Sequence, residues 1–179
     1  MTTFHTVSID HLDIQAKATK LYSSRIDLPT ENRTQIIALL NFALALTLDL
    51  KTQVKHAHWN VKGMNFYQLH QLFDQIATEL DEYVDTIAER VTTLGGTAMG
   101  TVRIAASTST LPEYPDDIID GKDHVIAIAN RLAPYAKIMR ETINLTNDLE
   151  DADTADLFTE ISRTVDKYLW FLEAHLQGN

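Results

Sequence analysis

The chain has 179 residues and not one of them is cysteine. That excludes a disulfide framework and any thiolate metal site. It suits a reducing compartment, and it suits a protein that handles oxidants, because nothing here can climb the thiol oxidation ladder. Basic residues are also scarce: 15 Lys and Arg stand against 25 Asp and Glu, for a net charge of −10. A surface of that sign does not attract nucleic acid or anionic membranes, but it does attract cations. No uninterrupted apolar run reaches the roughly 18 residues of a membrane span. The opening MTTFHTVSIDHLDIQ has no basic region leading into an apolar one, so it does not read as a signal peptide. The expected location is the cytoplasm. No repeat, low-complexity tract or convincing strand is present.

What remains is a helical chain. Residues 1–28 are mixed and polar and read as an N-terminal arm, flexible by composition; residues 29–179 read as one bundle domain. Pro29 and Thr30 signal a helix start. From there to about Asn60 apolar residues recur at helical spacing, and Gly63 stops the run. A second helix spans about Phe66 to Leu94 and ends at Gly95-Gly96, a helix C-terminal signal. A long connection follows, with one short helix expected around Asp116–Ile119. A third helix runs from about Lys122 to Leu149, where Pro134 should kink it. The acidic turn DLEDADTAD leads to a fourth helix from about Thr154 to Gln177. Four long helices with a long middle connection predict an all-α, ferritin-like four-helix bundle with one crossover.

The second helix carries the chemistry. His70 and Asp74 are four apart, and so are Asp85 and Glu89, so each pair can share a helix face and grip one ion. Asp85 falls only about 20° around the axis from Asp74, yet roughly 16 Å along it. No single ion can touch both pairs. Imidazole with carboxylate suits iron, manganese or zinc. The Glu-x-x-His motif of intrasubunit di-iron bundles does not occur. A second copy placed across a two-fold axis, its second helix antiparallel, would set each His70/Asp74 end against an Asp85/Glu89 end, and the half-sites would complete each other twice. His58, at the end of the first helix, can join either group.

HWNVKGMNFYQLHQLFDQIATELDEYVDTIAER followed by LGG resembles the signature of Dps, the mini-ferritin family of DNA-binding proteins from starved cells. The likeness is strong over His58–Gly96 and continues in DTADLFTEISRTVDKYLWFLEAHL and in YPDDI. It implies a hollow homododecamer whose inter-subunit ferroxidase centres oxidise ferrous iron, with hydrogen peroxide preferred to dioxygen, and which stores ferric mineral. It implies His58, Asp85 and Glu89 from one subunit with His70 and Asp74 from the other, and Trp59 beside the centre as a radical-intercepting electron donor; by donor chemistry zinc also suits the same ligands. It also implies three-fold pores near the last helix start, here lined by Asp156, then Asp151 and Asp153. The competing reading makes Asp153 the N-cap of that helix. His5, Asp10, His11 and Asp13 form a second, weaker metal candidate in the arm. His124 and His175 carry no signal, and Trp170 and Phe171 read as core or interface packing.

Members of this family that bind DNA do so with a lysine-rich tail. Here Lys17, Lys20 and Arg25 are cancelled by Asp10, Asp13 and Asp27, and direct DNA binding is expected to be weak or absent near neutral pH. The alternatives are a nucleoid-associated DNA-condensing protein and a cage that holds zinc or manganese without redox turnover.

Overall fold

The computed structural model describes residues 5–9, 12–16 and 20–178, with side chains from residue 20 onward. Two short strands, β1 (His5–Ile9) and β2 (Leu12–Ala16), pair antiparallel, Val7 opposite Ile14. They fall in the arm, where the mixed composition had suggested no strand. The helices are α1 (Thr30–Asn60), α2 (Phe66–Thr93), α3 (Val102–Thr108), α4 (Gly121–Asp148) and α5 (Ala152–Ala174). Helix α1 pairs with α2 and α4 with α5, giving the four-helix bundle that the spacing predicts.

The short helix in the connection lies at Val102–Thr108, not at Asp116–Ile119. Thr101 caps it, its hydroxyl accepting from Ile104 N, and two alanines favour its continuation. Four residues after Pro115 are too few to repay helix nucleation. Helix α4 runs unbroken through Pro134. The carbonyl that loses its donor belongs to Asn130, which is exposed and can turn to solvent.

Helix α1 is long and apolar enough to cross a membrane by length and composition, with a window of mean hydropathy 1.3, but 67% of that window is buried inside the bundle. Ile36, Leu40, Leu44, Leu46, Leu50 and Val54 are all inaccessible or nearly so. Its apolarity is that of a helix packed against α2, α3 and α4.

Helix α2 ends in a Schellman turn: Gly96 N donates to Val91 O at 2.9 Å and Gly95 N to Thr92 O at 2.9 Å. Gly95 has φ +86°, and a Cβ there would lie 2.5 Å from the carbonyl oxygen of Tyr22. That segment is tied in turn by Tyr22 N to Gly95 O at 2.8 Å. Gly95→Ala is therefore expected to cost roughly 1–3 kcal/mol, measurable as a lower denaturant midpoint.

The turn between α1 and α2 positions the site. Lys62 N donates to Ile119 O at 3.1 Å, clipping the turn to the end of the crossover. Asp120 caps α4, accepting from Lys122 N at 2.9 Å.

Candidate metal centre

Because α1 and α2 are antiparallel, the last turn of α1 faces the first turns of α2. His58 and His70 meet there with rings stacked at 3.8 Å and an interplanar angle of 19°. Each Nδ1 is 2.8 Å from the other's backbone carbonyl oxygen. A carbonyl only accepts, so each Nδ1 carries a proton, and in the neutral ring Nε2 is the nitrogen left with a lone pair. This is how metal-binding imidazoles are commonly held, the distant N–H anchored and the near nitrogen free.

Asp74 lies beside the stacked pair. Its Oδ1 lies 3.9 Å from His58 Nδ1 and 2.5 Å from Lys55 Nζ. The hydrogen bond from Lys55 holds the Asp74 carboxyl below the usual carboxylate range, against a smaller effect of burial. Asp74 is thus ionised at neutral pH and paired with a cation. Lys55 was not recognised in the sequence, although it sits one turn before His58 on the same helix. A cation approaching Asp74 Oδ1 would compete with that ammonium. Lys55→Met is expected to tighten anaerobic ferrous binding by at most about fivefold, the strength of an exposed pair, read by titration calorimetry.

Asp85 and Glu89 lie further along α2, exposed on its surface, about 16 Å and about 22 Å of rise from Asp74. Among the described residues no three metal-ligating side chains converge. The resemblance groups His58 with Asp85 and Glu89. Within one chain His58 stands with His70 and Asp74, not with Asp85 and Glu89, because the α1–α2 turn is short and sets it opposite the first turns of α2. Trp59 points away from the core and is 68% exposed.

The acidic residues at the start of α5 separate by burial. Asp151, not Asp153, is the N-cap: its carboxylate accepts from Thr154 N at 3.0 Å and Thr154 Oγ1 at 2.5 Å. It also accepts from Arg90 Nη2 at 2.7 Å and is 3% exposed. A carboxylate sealed inside its own chain cannot line a pore. Asp153 and Asp156 are exposed. The side chains of His5, Asp10, His11 and Asp13 lie outside the described residues. Trp170 is 61% exposed and so is no core residue.

The Ferritin-like domain family model matches residues 37–178. A DNA protection during starvation protein from Agrobacterium fabrum is 44% identical over 158 residues, covering 88% of this chain and 98% of its own. The chain belongs to the Dps family. Among solved structures, DpsC from Streptomyces coelicolor superposes with a TM-score of 0.84 at 32% identity, covering 89% of this chain and 93% of its own. The Dps protein from Vibrio cholerae, described as a member of a broad superfamily of ferritin-like diiron-carboxylate proteins, does so with a TM-score of 0.82 at 26% identity, over 89% and 100% of the two chains. Dps membership brings iron storage and DNA protection at the level of the family, and iron binding with oxidoreductase chemistry. The donors fit that cargo: two imidazole nitrogens with free lone pairs and a carboxylate, all hard or borderline ligands.

Proposed function

We propose that this protein oxidises ferrous iron at centres shared between two-fold-related protomers and stores the ferric product. His58, His70 and Asp74 of one protomer and Asp85 and Glu89 of the other hold the ferrous substrate. The observation that carries this reading is the half-site itself. Two imidazoles are fixed with their metal-binding nitrogens free, beside an ionised aspartate, and the ligand set is incomplete within one chain.

Hydrogen peroxide is the preferred oxidant over dioxygen. Two ferrous ions give up one electron each, one peroxide takes both with two protons, and two waters leave, so no hydroxyl radical is released. Trp59, exposed next to His58, donates an electron to any radical that escapes. The assembly is a homododecamer in the cytoplasm. Asp153 and Asp156 gather at its three-fold axes and draw cations inward, an effect that salt weakens. The protection of DNA is chemical, since the arm has no net basic charge to hold a duplex.

The test is anaerobic ferrous loading of metal-stripped protein followed by a peroxide pulse, with ferric absorbance as the readout. Rapid oxidation by peroxide and slower oxidation by air are expected. Equal, slow oxidation under both would leave a cage for a redox-inert ion such as zinc, which the same donors also suit. A gel shift at physiological salt is expected to show little retardation of DNA; strong retardation would favour a nucleoid-condensing role.

A further inference from the structure

His124, in the first turn of α4, is fully buried. Its Nδ1 is 2.6 Å from the hydroxyl of Tyr114, and its Nε2 has no protein partner. Tyr114 belongs to the crossover connection. Its ring lies 6.0 Å from the His124 ring, nearly parallel at 21°, and 5.1 Å from the ring of His56 on α1. The Arg131 guanidinium lies 5.1 Å from the centroid of the same ring.

These groups hold a stretch of chain that has no regular structure of its own. Arg131 donates to Gln53 Oε1 at 2.6 Å, to Ala127 O at 2.7 Å, and to the carbonyl of Glu113. Gln53 donates to Pro112 O at 3.2 Å, and Ser109 Oγ donates to Asp49 at 2.5 Å. The second half of the crossover is thus pinned to α1 and α4 by side chains, with Tyr114 and His124 at one end.

Protonation would undo that end. Neutral His124 carries one N–H; with it on Nδ1, that group donates to the Tyr114 oxygen and Nε2 keeps a lone pair. In charged His124 both nitrogens are donors. The Nε2–H then has no acceptor, and a second cation enters a buried site that already faces Arg131 across one tyrosine ring. The other groups facing it are His56 from α1, Lys62 from the α1–α2 turn, and Asp120 and Asp123 from the start of α4. Burial, followed by His56, holds the imidazole below its ordinary range, while Asp123 and Asp120 pull the other way.

We propose that His124 and Tyr114 form an acid-released latch, which holds crossover residues 109–120 against α1 and α4 while His124 is neutral and frees them when it is protonated. The released state takes up the proton more readily than the closed one. The latch is therefore at full strength above about pH 6.5, the ordinary histidine value, and is lost as the pH falls through the lower value of the closed state.

Hydrogen–deuterium exchange on the full assembly, corrected for intrinsic rates, tests this. Between about pH 7.5 and about pH 5, amides in residues 111–120 are expected to exchange at least about tenfold faster, a gap of roughly 1.4 kcal/mol, while the long helices stay protected. His124→Gln, neutral throughout, should show no such step. Tyr114→Phe should exchange faster in this segment already at neutral pH. The proposal is overturned by an absent step in the wild type, or by the same step in His124→Gln, which would assign it to His56 or the carboxylates. If His124→Gln fails to assemble, unchanged neutral-pH protection in Tyr114→Phe overturns it instead.

Discussion

Co-expressing His70→Ala/Asp74→Ala with Asp85→Ala/Glu89→Ala in equal amounts should restore about a quarter of the wild-type rate of peroxide-driven iron oxidation. Each double variant alone should be slower by at least about a hundredfold, since even removing outer-shell partners costs 10–100-fold. The restoration follows from two-fold geometry. In a mixed dimer one centre loses all four substituted ligands and the other loses none. With random pairing about half the dimers are mixed, and half the centres in those are intact. A centre contained within one chain would give no restoration, because every chain would carry a broken site. A rate unaffected by either variant alone would remove both pairs from the chemistry. The experiment thus separates a wrong ligand set from a wrong partnership. It is needed because Asp85 and Glu89 stand well away from His58, His70 and Asp74 in the single chain.

Asp151→Ala should destabilise the protein by about 3–5 kcal/mol, the usual cost of removing one member of a buried ion pair. Asp151 is 3% exposed, and its loss takes from Arg90, whose side chain is 16% exposed, its short carboxylate contact, leaving Thr154 Oγ1 at 2.8 Å and the exposed Asp153 at 3.9 Å. It also leaves the α5 N-terminus without its cap at Thr154 N. Asp156→Ala, on the exposed surface one turn later, should change stability by less than about 0.5 kcal/mol and should instead slow ferrous uptake at low salt. Denaturant unfolding at fixed protein concentration measures the first, and stopped-flow oxidation at two ionic strengths the second. If Asp151→Ala left stability unchanged, the burial of this carboxylate would have no energetic meaning. If Asp156→Ala left uptake unchanged, the acidic helix start would be only a solvated surface.

These two residues show how far a linear reading carries. Five carboxylates between Asp148 and Asp156 look alike in sequence. Their roles divide only when α2 brings Arg90 across to α5, a pairing between residues 61 positions apart. Lys55 is a similar case. Its spacing from His58 was visible, but its attachment to Asp74 depends on the crossing of two helices. His124 carried no signal at all, because the residue that gives it meaning, Tyr114, lies in a connection without periodicity. The short helix lies away from its expected place for the same reason: a few residues between prolines and glycines hold too little pattern to locate seven helical ones.

The sequence by itself determined the four long helices, their order and the candidate ligand types. Hydrophobic spacing near 3.6 residues and the end signals at Pro29 and Gly95-Gly96 are local, and a helix needs only local hydrogen bonds. It also determined that one chain cannot gather all five ligands on one ion, since helix rise alone separates Asp74 from Asp85. The tertiary structure decided which side chains stand beside His58 within the chain, which aspartate caps and which stays exposed, and what holds the crossover down. Each of those depends on side chains from different helices meeting, and that is fixed by the packing of apolar faces over the whole bundle rather than by neighbours in the chain.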